Sequence, residues 1–181
     1  MDAAPADVRF GGVEREMQAL GQLGFVGVEL DLRDYFNEPD RLAADLGQFD
    51  VAWFRGGNCF MLRYALARSG GDRVLLTQLE NDAIVYAGYS AGPCVLAPSL
   101  KGLDLVDEPH DVEENYEESP IWDGLGVLSF AFVPHFESPG HPESEAMNNV
   151  VAHYEANGTP YKTLRDGEVL VVHGEESTLF M

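Results

Sequence analysis

The sequence predicts an α/β protein with a doubly wound, mostly parallel sheet. Amphipathic helical segments alternate with short apolar segments rich in β-branched and aromatic residues. This alternation requires crossover connections between parallel strands, with helices covering both faces of the sheet. The chain has 181 residues, which suits one hydrophobic core, so we expect residues 1–181 to form a single domain.

The predicted elements follow from hydrophobic spacing and from the turn residues between them. The first half gives, in order, a helix over 13–23, a strand over 25–32, a helix over 38–49, a strand over 50–54, helices over 59–70 and 72–82, and a strand over 84–87. The second half gives a helix over 91–97, an acidic surface excursion over 101–123, a strand over 127–136, a helix over 141–158 and C-terminal hairpin strands turning at 166–167 and 173–174.

The order of these elements is unusual at its start. A doubly wound sheet commonly begins on a strand, whereas this pattern begins on a helix. Met1 to Asp7 does not have the apolar pattern of a buried strand. We therefore expect that the usual first strand is missing and that its slot is empty or filled by something else.

The charge of the chain excludes some classes of function. With 31 Asp and Glu against 11 Lys and Arg, the net charge is −20, which predicts no binding to nucleic acid or to anionic membranes. The N-terminus lacks a signal-peptide pattern, and no apolar run reaches membrane-span length. Cys59 and Cys94 are far apart without metal-ligand spacing, which indicates neither a disulfide framework nor a zinc site. We expect a cytoplasmic protein.

A serine between two glycines follows the strand predicted at 84–87, in Gly88-Tyr89-Ser90-Ala91-Gly92. A Gly-x-Ser-x-Gly segment between a strand and a helix is typical of a nucleophile held on a sharp turn. The amide of Ala91 would then lie where an oxyanion donor is needed. An ordinary strand-to-helix turn accounts for the same residues, so local sequence leaves both interpretations open.

A serine nucleophile needs a base, and one histidine is well placed to supply it. Of five histidines, His135 alone ends a predicted buried strand, at the sheet edge where Ser90 would lie. A capping or solvent-exposed histidine is the alternative interpretation. His153 falls within a helix and His110 within the acidic excursion, which favours other roles for them.

A second loop at the end of a strand contains Arg55-Gly56-Gly57-Asn58. Amides of Gly56 and Gly57 could donate to an oxyanion, and Asn58 could bind the polar end of a substrate. A glycine turn with Asn58 as a helix N-cap explains the loop equally well.

Four segments in chain order carry a family resemblance: "WFRGGNCFML", "VYAGYSAGPCVL", "FVPHF" and "LRDGEVLVV". Together they resemble the peptidase E family of serine peptidases (family S51), which includes aspartyl dipeptidases and cyanophycinases. The match runs from about Phe49 to Val172. It implies a fold related to flavodoxin and to class I glutamine amidotransferases, and it implies a serine exopeptidase, dipeptidase E-like, acting on short peptides without metal or organic cofactor.

The resemblance also implies roles for individual residues. Ser90 would be the nucleophile, His135 the base and Asp166 the acid, at a position where the family often has glutamate. Glu137 and Glu168 are alternative acids. Gly57 and Ala91 would supply the oxyanion amides, and Asn58 would touch the substrate. Aspartyl dipeptidases of the family use an arginine beyond the catalytic histidine, and the segment after His135 contains none, so a preference for N-terminal Asp stays open. The oligomeric state is also open, a homodimer included.

Three rival interpretations remain. An esterase of the α/β-hydrolase type would use Asp123 as acid and His173 as base. The segment His141-Pro142-Glu143 imitates the His-x-Glu pair of amidotransferases, which need a cysteine where this chain has Ser90. Finally, a shortened relative with the same fold could have kept the turn without catalysis.

Overall fold

The computed structural model describes residues 6–181, with side chains from Gly11 onward, so most of the segment Met1 to Asp7 lies outside the described residues. The helices are α1 (Ala6–Gln22), α2 (Pro39–Leu46), α3 (Cys59–Ser69), α4 (Gly71–Glu80), α5 (Ala91–Cys94), α6 (His110–Tyr116) and α7 (Ser144–Asn157). The strands are β1 (Val51–Phe54), β2 (Val85–Gly88), β3 (Ala131–Val133), β4 (Tyr161–Thr163), β5 (Val169–His173) and β6 (Glu176–Phe180).

The strands form three pairs. β1 runs parallel to β2, from Val51 opposite Val85 to Phe54 opposite Gly88. β3 runs parallel to β4, and β5 pairs antiparallel with β6. The predicted α/β class and parallel pairing are confirmed, but the described part of the chain has separate ladders where one continuous sheet was expected.

The C-terminal hairpin consists of β5 and β6 alone, joined at the predicted turn of His173 and Gly174. The expected hairpin turn at Asp166-Gly167 is wrong, because β4 pairs with β3 instead of β5. This difference matters for the site: it places the residues after β4 beside those after β3.

Capping residues fix where several helices begin and end. Asn58 accepts hydrogen bonds from the amides of Phe60 and Met61 and so starts α3. Gly70 ends that helix with φ of 72°, a left-handed conformation that glycine adopts without strain. Pro39 occupies the first turn of α2, where its missing N–H costs nothing.

The strand predicted over 25–32 is wrong. The segment is extended but outside any strand, and it leads into a 3₁₀ turn at Leu32–Tyr35. Within the described residues, no backbone hydrogen bond joins residues 26–30 to another segment. A β-rich sequence becomes a strand only when a neighbouring strand pairs with it, and none of the described strands pairs with this segment.

The acidic excursion over 101–123 is more ordered than its composition predicts. It contains a 3₁₀ turn at Leu103–Leu105 and the helix α6, with Leu103 and Val112 fully buried. α6 packs against α3. These buried side chains, together with hydrogen bonds from the start of α3, anchor a segment whose charge suggested only solvent exposure.

Two predicted elements are shorter than expected. The helix over 91–97 is only α5, and the strand over 127–136 is only β3. The amides of Leu125 and Leu128 donate to the carbonyls of Val95 and Leu96, at 2.8 and 3.0 Å. These residues therefore bond to the chain after α5 and cannot extend β3 toward its amino end.

The core lies where α3, α5, β3 and α7 meet. Its largest fully buried side chains include Tyr154, Phe60, Leu66, Leu100 and Val133. Among the described residues, no helix is both long and apolar enough to cross a bilayer.

Candidate active site

Ser90 lies on a sharp turn between β2 and α5. Its backbone has φ of 53° and ψ of −117°, a conformation that a residue with a side chain rarely adopts. Holding it costs about 1–3 kcal/mol, which the surrounding packing must supply. This is the geometry that a nucleophile elbow requires.

The end of β1 leaves no room for a side chain at either glycine of the Ser90 turn. A Cβ on Gly88 would lie 2.3 Å from the Phe54 carbonyl oxygen, and one on Gly92 would lie 2.7 Å from the same atom. The amide of Tyr89 donates to that oxygen at 3.1 Å. The motif therefore packs the turn directly against the backbone of β1.

The glycine loop after β1 lies against the elbow. A Cβ on Gly56 would come within 2.9 Å of the Ser90 Cβ, and Gly57 has φ of 138°, which only glycine adopts readily. In the described part of the chain, neither the Gly57 amide nor the Ala91 amide has a hydrogen-bond partner. Both N–H groups are thus free to donate to a substrate oxygen.

Asn58 is fully engaged by the protein. Its Oδ1 caps α3, while its Nδ2 donates to the Glu108 carbonyl at 2.8 Å and to the Asp111 carboxylate at 3.0 Å. This geometry matches the N-cap interpretation. A contact between Asn58 and substrate stays a prediction, and it would require one of these hydrogen bonds to break.

Sequence reasoning missed Glu16, which ties both loops of the site to α1. Its carboxylate accepts hydrogen bonds from Arg55 Nε at 2.8 Å, Tyr89 Oη at 2.6 Å and Trp53 Nε1 at 3.3 Å. Burial, followed by the hydrogen bond to Glu16, raises the pKa of Tyr89, so its hydroxyl stays protonated and donates. No sequence signal marks Glu16, because its partners lie far away in the chain.

His135 and Asp166 are brought together by the pairing of β3 with β4. The Leu164 amide donates to the Val133 carbonyl at 2.9 Å, and the Phe136 amide donates to the Leu164 carbonyl at 3.0 Å. His135 Nδ1 then lies 2.6 Å from Asp166 Oδ1. The His135 side chain is 13% exposed and the Asp166 side chain 51% exposed. A carboxylate on Nδ1 leaves Nε2 as the nitrogen that can accept a proton.

The alternative acids have other partners. Glu137 pairs with the Arg165 guanidinium, and Glu168 accepts a hydrogen bond from the Arg165 amide at 2.8 Å. Asp166 is itself held by its backbone amide, which donates to the Oγ of the buried Ser138 at 2.8 Å. Asp166 is therefore the carboxylate that contacts His135 in this structure.

Ser90 and His135 both follow the carboxyl ends of strands, and α5, which begins directly after Ser90, packs against β3. No hydrogen bond joins the two side chains in the part of the chain that the structure describes. Catalytic hydrogen bonds are often long before substrate binds and shorten only in the complex. His135 also has a positive φ, of 56°, so two of the predicted site residues have strained backbones.

His141 is the other residue whose place the sequence did not predict. Its ring stacks on the His135 ring at 3.7 Å between centroids with an angle of 4° between planes. The Glu143 amide donates to His141 Nδ1 at 3.3 Å. The His-x-Glu segment was a visible signal, but its resemblance to an amidotransferase pair pointed to a different role.

The ligand atoms of His135, His141 and Glu143 lie within 4.8 Å of one another, so these residues could hold a metal ion. Imidazole lone pairs lie in the ring plane, however, and two nearly parallel planes do not converge on one point. One ring would have to turn before both bound the same ion.

The remaining candidates lie elsewhere. His173 belongs to the exposed hairpin, and Asp123 bridges to Ser99 on the chain after α5. Among the described residues, no hydrogen bond or ion pair joins Asp123 to His173. Cys59 and Cys94 are buried, which raises the pKa of both thiols well above the usual value and disfavours the reactive thiolate.

Comparison with known proteins gives consistent matches. A sequence model of peptidase family S51 matches residues 9–180. An uncharacterized peptidase of Listeria innocua is 30% identical over 166 residues, which cover 91% of this chain and 74% of the relative. A peptidase E of Streptomyces coelicolor is 31% identical over 166 residues, covering 88% of this chain and 62% of the relative.

Among solved structures, a Listeria monocytogenes protein proposed to be a peptidase E aligns with a TM-score of 0.78 and 24% identity, covering 93% of this chain and 76% of the other. At that identity the match supports the fold alone. The chain therefore has the α/β fold of that protein, with Ser90 on the turn between β2 and α5. With the sequence match over 9–180, the chain belongs to peptidase family S51. The predicted family is thereby confirmed.

Proposed function

We propose that the protein is a serine exopeptidase that hydrolyses short peptides through an acyl-enzyme. The observation that carries the proposal is the elbow at Ser90, whose strained backbone follows β2 and precedes α5. Strain of this kind persists where function needs a side chain aimed in one direction. Family membership supports the peptidase class.

In the proposed reaction, Ser90 Oγ attacks the scissile carbonyl carbon while His135 Nε2 accepts its proton. The free amides of Gly57 and Ala91 donate to the oxyanion that forms. His135 then gives the proton to the leaving amine, and water resolves the acyl-enzyme by the reverse sequence. Asp166, 2.6 Å from His135 Nδ1, orients the ring and stabilises its charged form.

The substrate class rests on the resemblance to dipeptidases, and Asp at the N-terminal position is one candidate preference. A mixed di- and tripeptide library that includes Asp-Xaa members, analysed by mass spectrometry, tests both points. We expect cleavage by the wild type and none by Ser90→Ala. If neither protein cleaves any peptide, and circular dichroism shows that both are folded, the result would favour a non-catalytic relative.

The esterase alternative makes a different prediction about histidines. We expect His135→Ala to lose activity by about a thousandfold or more, whereas His173→Ala keeps it, because His173 lies on the exposed hairpin. Labelling of Ser90 by a fluorophosphonate probe gives a second readout that is independent of the chosen substrate. The opposite pattern between the two histidines would contradict the proposed base.

A further inference from the structure

The chain that leaves β3 turns back on itself between His135 and His141. Three of its residues have left-handed backbones, with φ of 56° at His135, 48° at Glu137 and 83° at Gly140. The Ser138 amide donates to the His135 carbonyl at 3.3 Å, and the His141 amide donates to the Ser138 carbonyl at 3.2 Å. These two turns return the His141 ring to one face of the His135 ring, with 3.7 Å between centroids.

The buried Ser138 connects this turn to the other parts of the site. Its side-chain oxygen accepts a hydrogen bond from the Asp166 amide at 2.8 Å, and its own amide donates to Ser144 Oγ at 3.0 Å. Ser138 is 2% exposed, so water does not compete for these bonds. One hydrogen-bonded unit therefore holds Asp166 at the edge of the His135 ring and His141 at its face.

The start of α7 holds the His141 ring in place. The Glu143 amide donates to His141 Nδ1 at 3.3 Å, and the Ser144 amide donates to the His141 carbonyl at 3.2 Å. Glu143 is the N-cap of α7 and Ser144 is its first residue. The ring is thus attached to a helix through both its side chain and its backbone.

The His135 ring needs a contact besides Asp166 to keep one orientation. Asp166 bonds Nδ1 at 2.6 Å, which restrains that atom but leaves the plane of the ring free to tilt about it. A tilt displaces Nε2, the atom that must meet Ser90 Oγ in the proposed reaction. A ring stacked on one face opposes the tilt, and small misplacements of reacting groups can cost much of the rate.

The stacking geometry also limits what His141 can do. The planes of the two rings differ by 4°, and the N–H bonds and lone pairs of imidazole lie in the ring plane. The nitrogens of His141 therefore do not point at those of His135, and no proton passes directly between the two rings in this arrangement. What His141 offers to His135 is the face of an aromatic ring.

We propose that His141 is a positioning residue for His135, a role that rests on the proposed function, in which His135 is the base. The His141 ring covers one face of the His135 imidazole while Asp166 holds its edge, so that Nε2 keeps one direction. His141 itself neither contacts substrate nor exchanges a proton.

Two substitutions of His141 separate the ring face from the polar atom. His141→Phe keeps an aromatic face and removes Nδ1, whereas His141→Asn keeps an acceptor oxygen and removes the ring. We expect His141→Asn to lower kcat for peptide hydrolysis by about tenfold or more, with KM changed less than about twofold. His141→Phe should keep kcat within about threefold of the wild type. His153→Asn, at an exposed position of α7, is the matched control and should have no effect.

A second measurement does not depend on turnover. In ¹⁵N-labelled full-length chain at mildly alkaline pH, the ring nitrogen shifts of His135 report which nitrogen carries the proton. We expect the proton on Nδ1 in the wild type and in His141→Phe, because the ring keeps its bond to Asp166. In His141→Asn we expect a mixture of the two tautomers, since the ring is free to leave that bond.

The results that would overturn the role of His141 are specific. One is a folded His141→Asn variant with kcat within about threefold of the wild type, and another is an equal loss of kcat in His141→Phe, which would assign the effect to the polar atom. A His135 tautomer that is the same in the wild type and His141→Asn would also overturn it. If the wild type neither hydrolyses peptides nor reacts with a fluorophosphonate, the proposed function fails, and the tautomers alone decide whether His141 holds the ring.

Discussion

The two parallel strand pairs carry the two halves of the candidate site, and they are supported differently. All three residues of β3 are buried, and its ladder with β4 brings His135 to Asp166 through backbone hydrogen bonds. The β1–β2 pair has exposed Trp53 and Val85, and Ser90 follows it on a strained turn. His135 and Asp166 are thus brought together by backbone pairing, while the turn at Ser90 is held by the backbone of β1 and also by a side chain, Glu16, that bonds Tyr89.

The largest effect should come from removing Ser90, the proposed nucleophile. Ser90→Ala and Ser90→Gly should both lower activity by about a millionfold. The two variants should differ in stability, because glycine adopts the positive φ without strain. The free energy of unfolding of Ser90→Gly should exceed that of Ser90→Ala by about 1 kcal/mol, which raises Tm by about 2–4 °C. Peptide hydrolysis and thermal unfolding measure the two effects. Equal stability of both variants would contradict strain at the elbow.

Removing the carboxylate of Asp166, the proposed acid, should lower activity less than removing Ser90. Asp166→Asn should reduce kcat by about ten-thousandfold, since the ring loses its charged partner and its preferred tautomer. Glu168→Gln is the matched control and should retain activity, because Glu168 contacts the Arg165 amide and not His135. Steady-state kinetics measure kcat for both variants. A larger loss in Glu168→Gln than in Asp166→Asn would assign the role of the acid to Glu168.

Variants of Glu16 test whether its side chain helps to hold the turn at Ser90. Glu16→Ala leaves the Arg55 and Tyr89 donors without their acceptor and should lower kcat about tenfold with little change in KM. The exposed Glu14 lies on the same helix, and Glu14→Ala should have no effect. Glu16→Gln keeps an acceptor oxygen and should restore most of the fluorophosphonate labelling rate at Ser90. Equal losses in Glu14→Ala and Glu16→Ala would indicate a general effect on α1.

The smallest effect concerns stability against pH. Burial raises the pKa of Asp107, whose carboxylate accepts from the Cys59 amide directly after the glycine loop. The fold therefore favours the protonated acid, and this stabilisation is complete below the usual value of 3.8 and lost as pH rises through the folded-state pKa. Asp107→Asn, which keeps an acceptor oxygen, should raise Tm at pH 7 but not at pH 3. A lower Tm at pH 7 would mean that the charge itself stabilises the loop.

The sequence predicted the parts of the fold that depend on local pattern. Spacing gave the helices, and Asn58 and Gly70 mark the two ends of α3 through capping chemistry. The strand predicted over 25–32 was wrong because strand formation depends on a pairing partner, which the local sequence does not reveal. α6 was missed because its burial rests on a single residue, Val112, among acidic neighbours.

Some residues of the candidate site could also be predicted from the sequence, and others could not. Ser90 and His135 could be found because each follows a strand-like run and matches a family motif. Glu16 and the stacked ring of His141 could not, since their contacts depend on how distant elements pack. Asp166 was chosen by resemblance over Glu137 and Glu168, and only the pairing of β3 with β4 brings it to His135.

The contact between the Phe54 carbonyl and the turn has an evolutionary consequence. A carbonyl oxygen cannot be changed by mutation, so Gly88 and Gly92 are required for as long as β1 and β2 stay paired, whatever residue stands between them. A lineage that lost catalysis would keep both glycines and be free to change Ser90, and would gain stability by doing so. In a randomised library selected for folding alone, positions 88 and 92 should return glycine, whereas position 90 should drift away from serine.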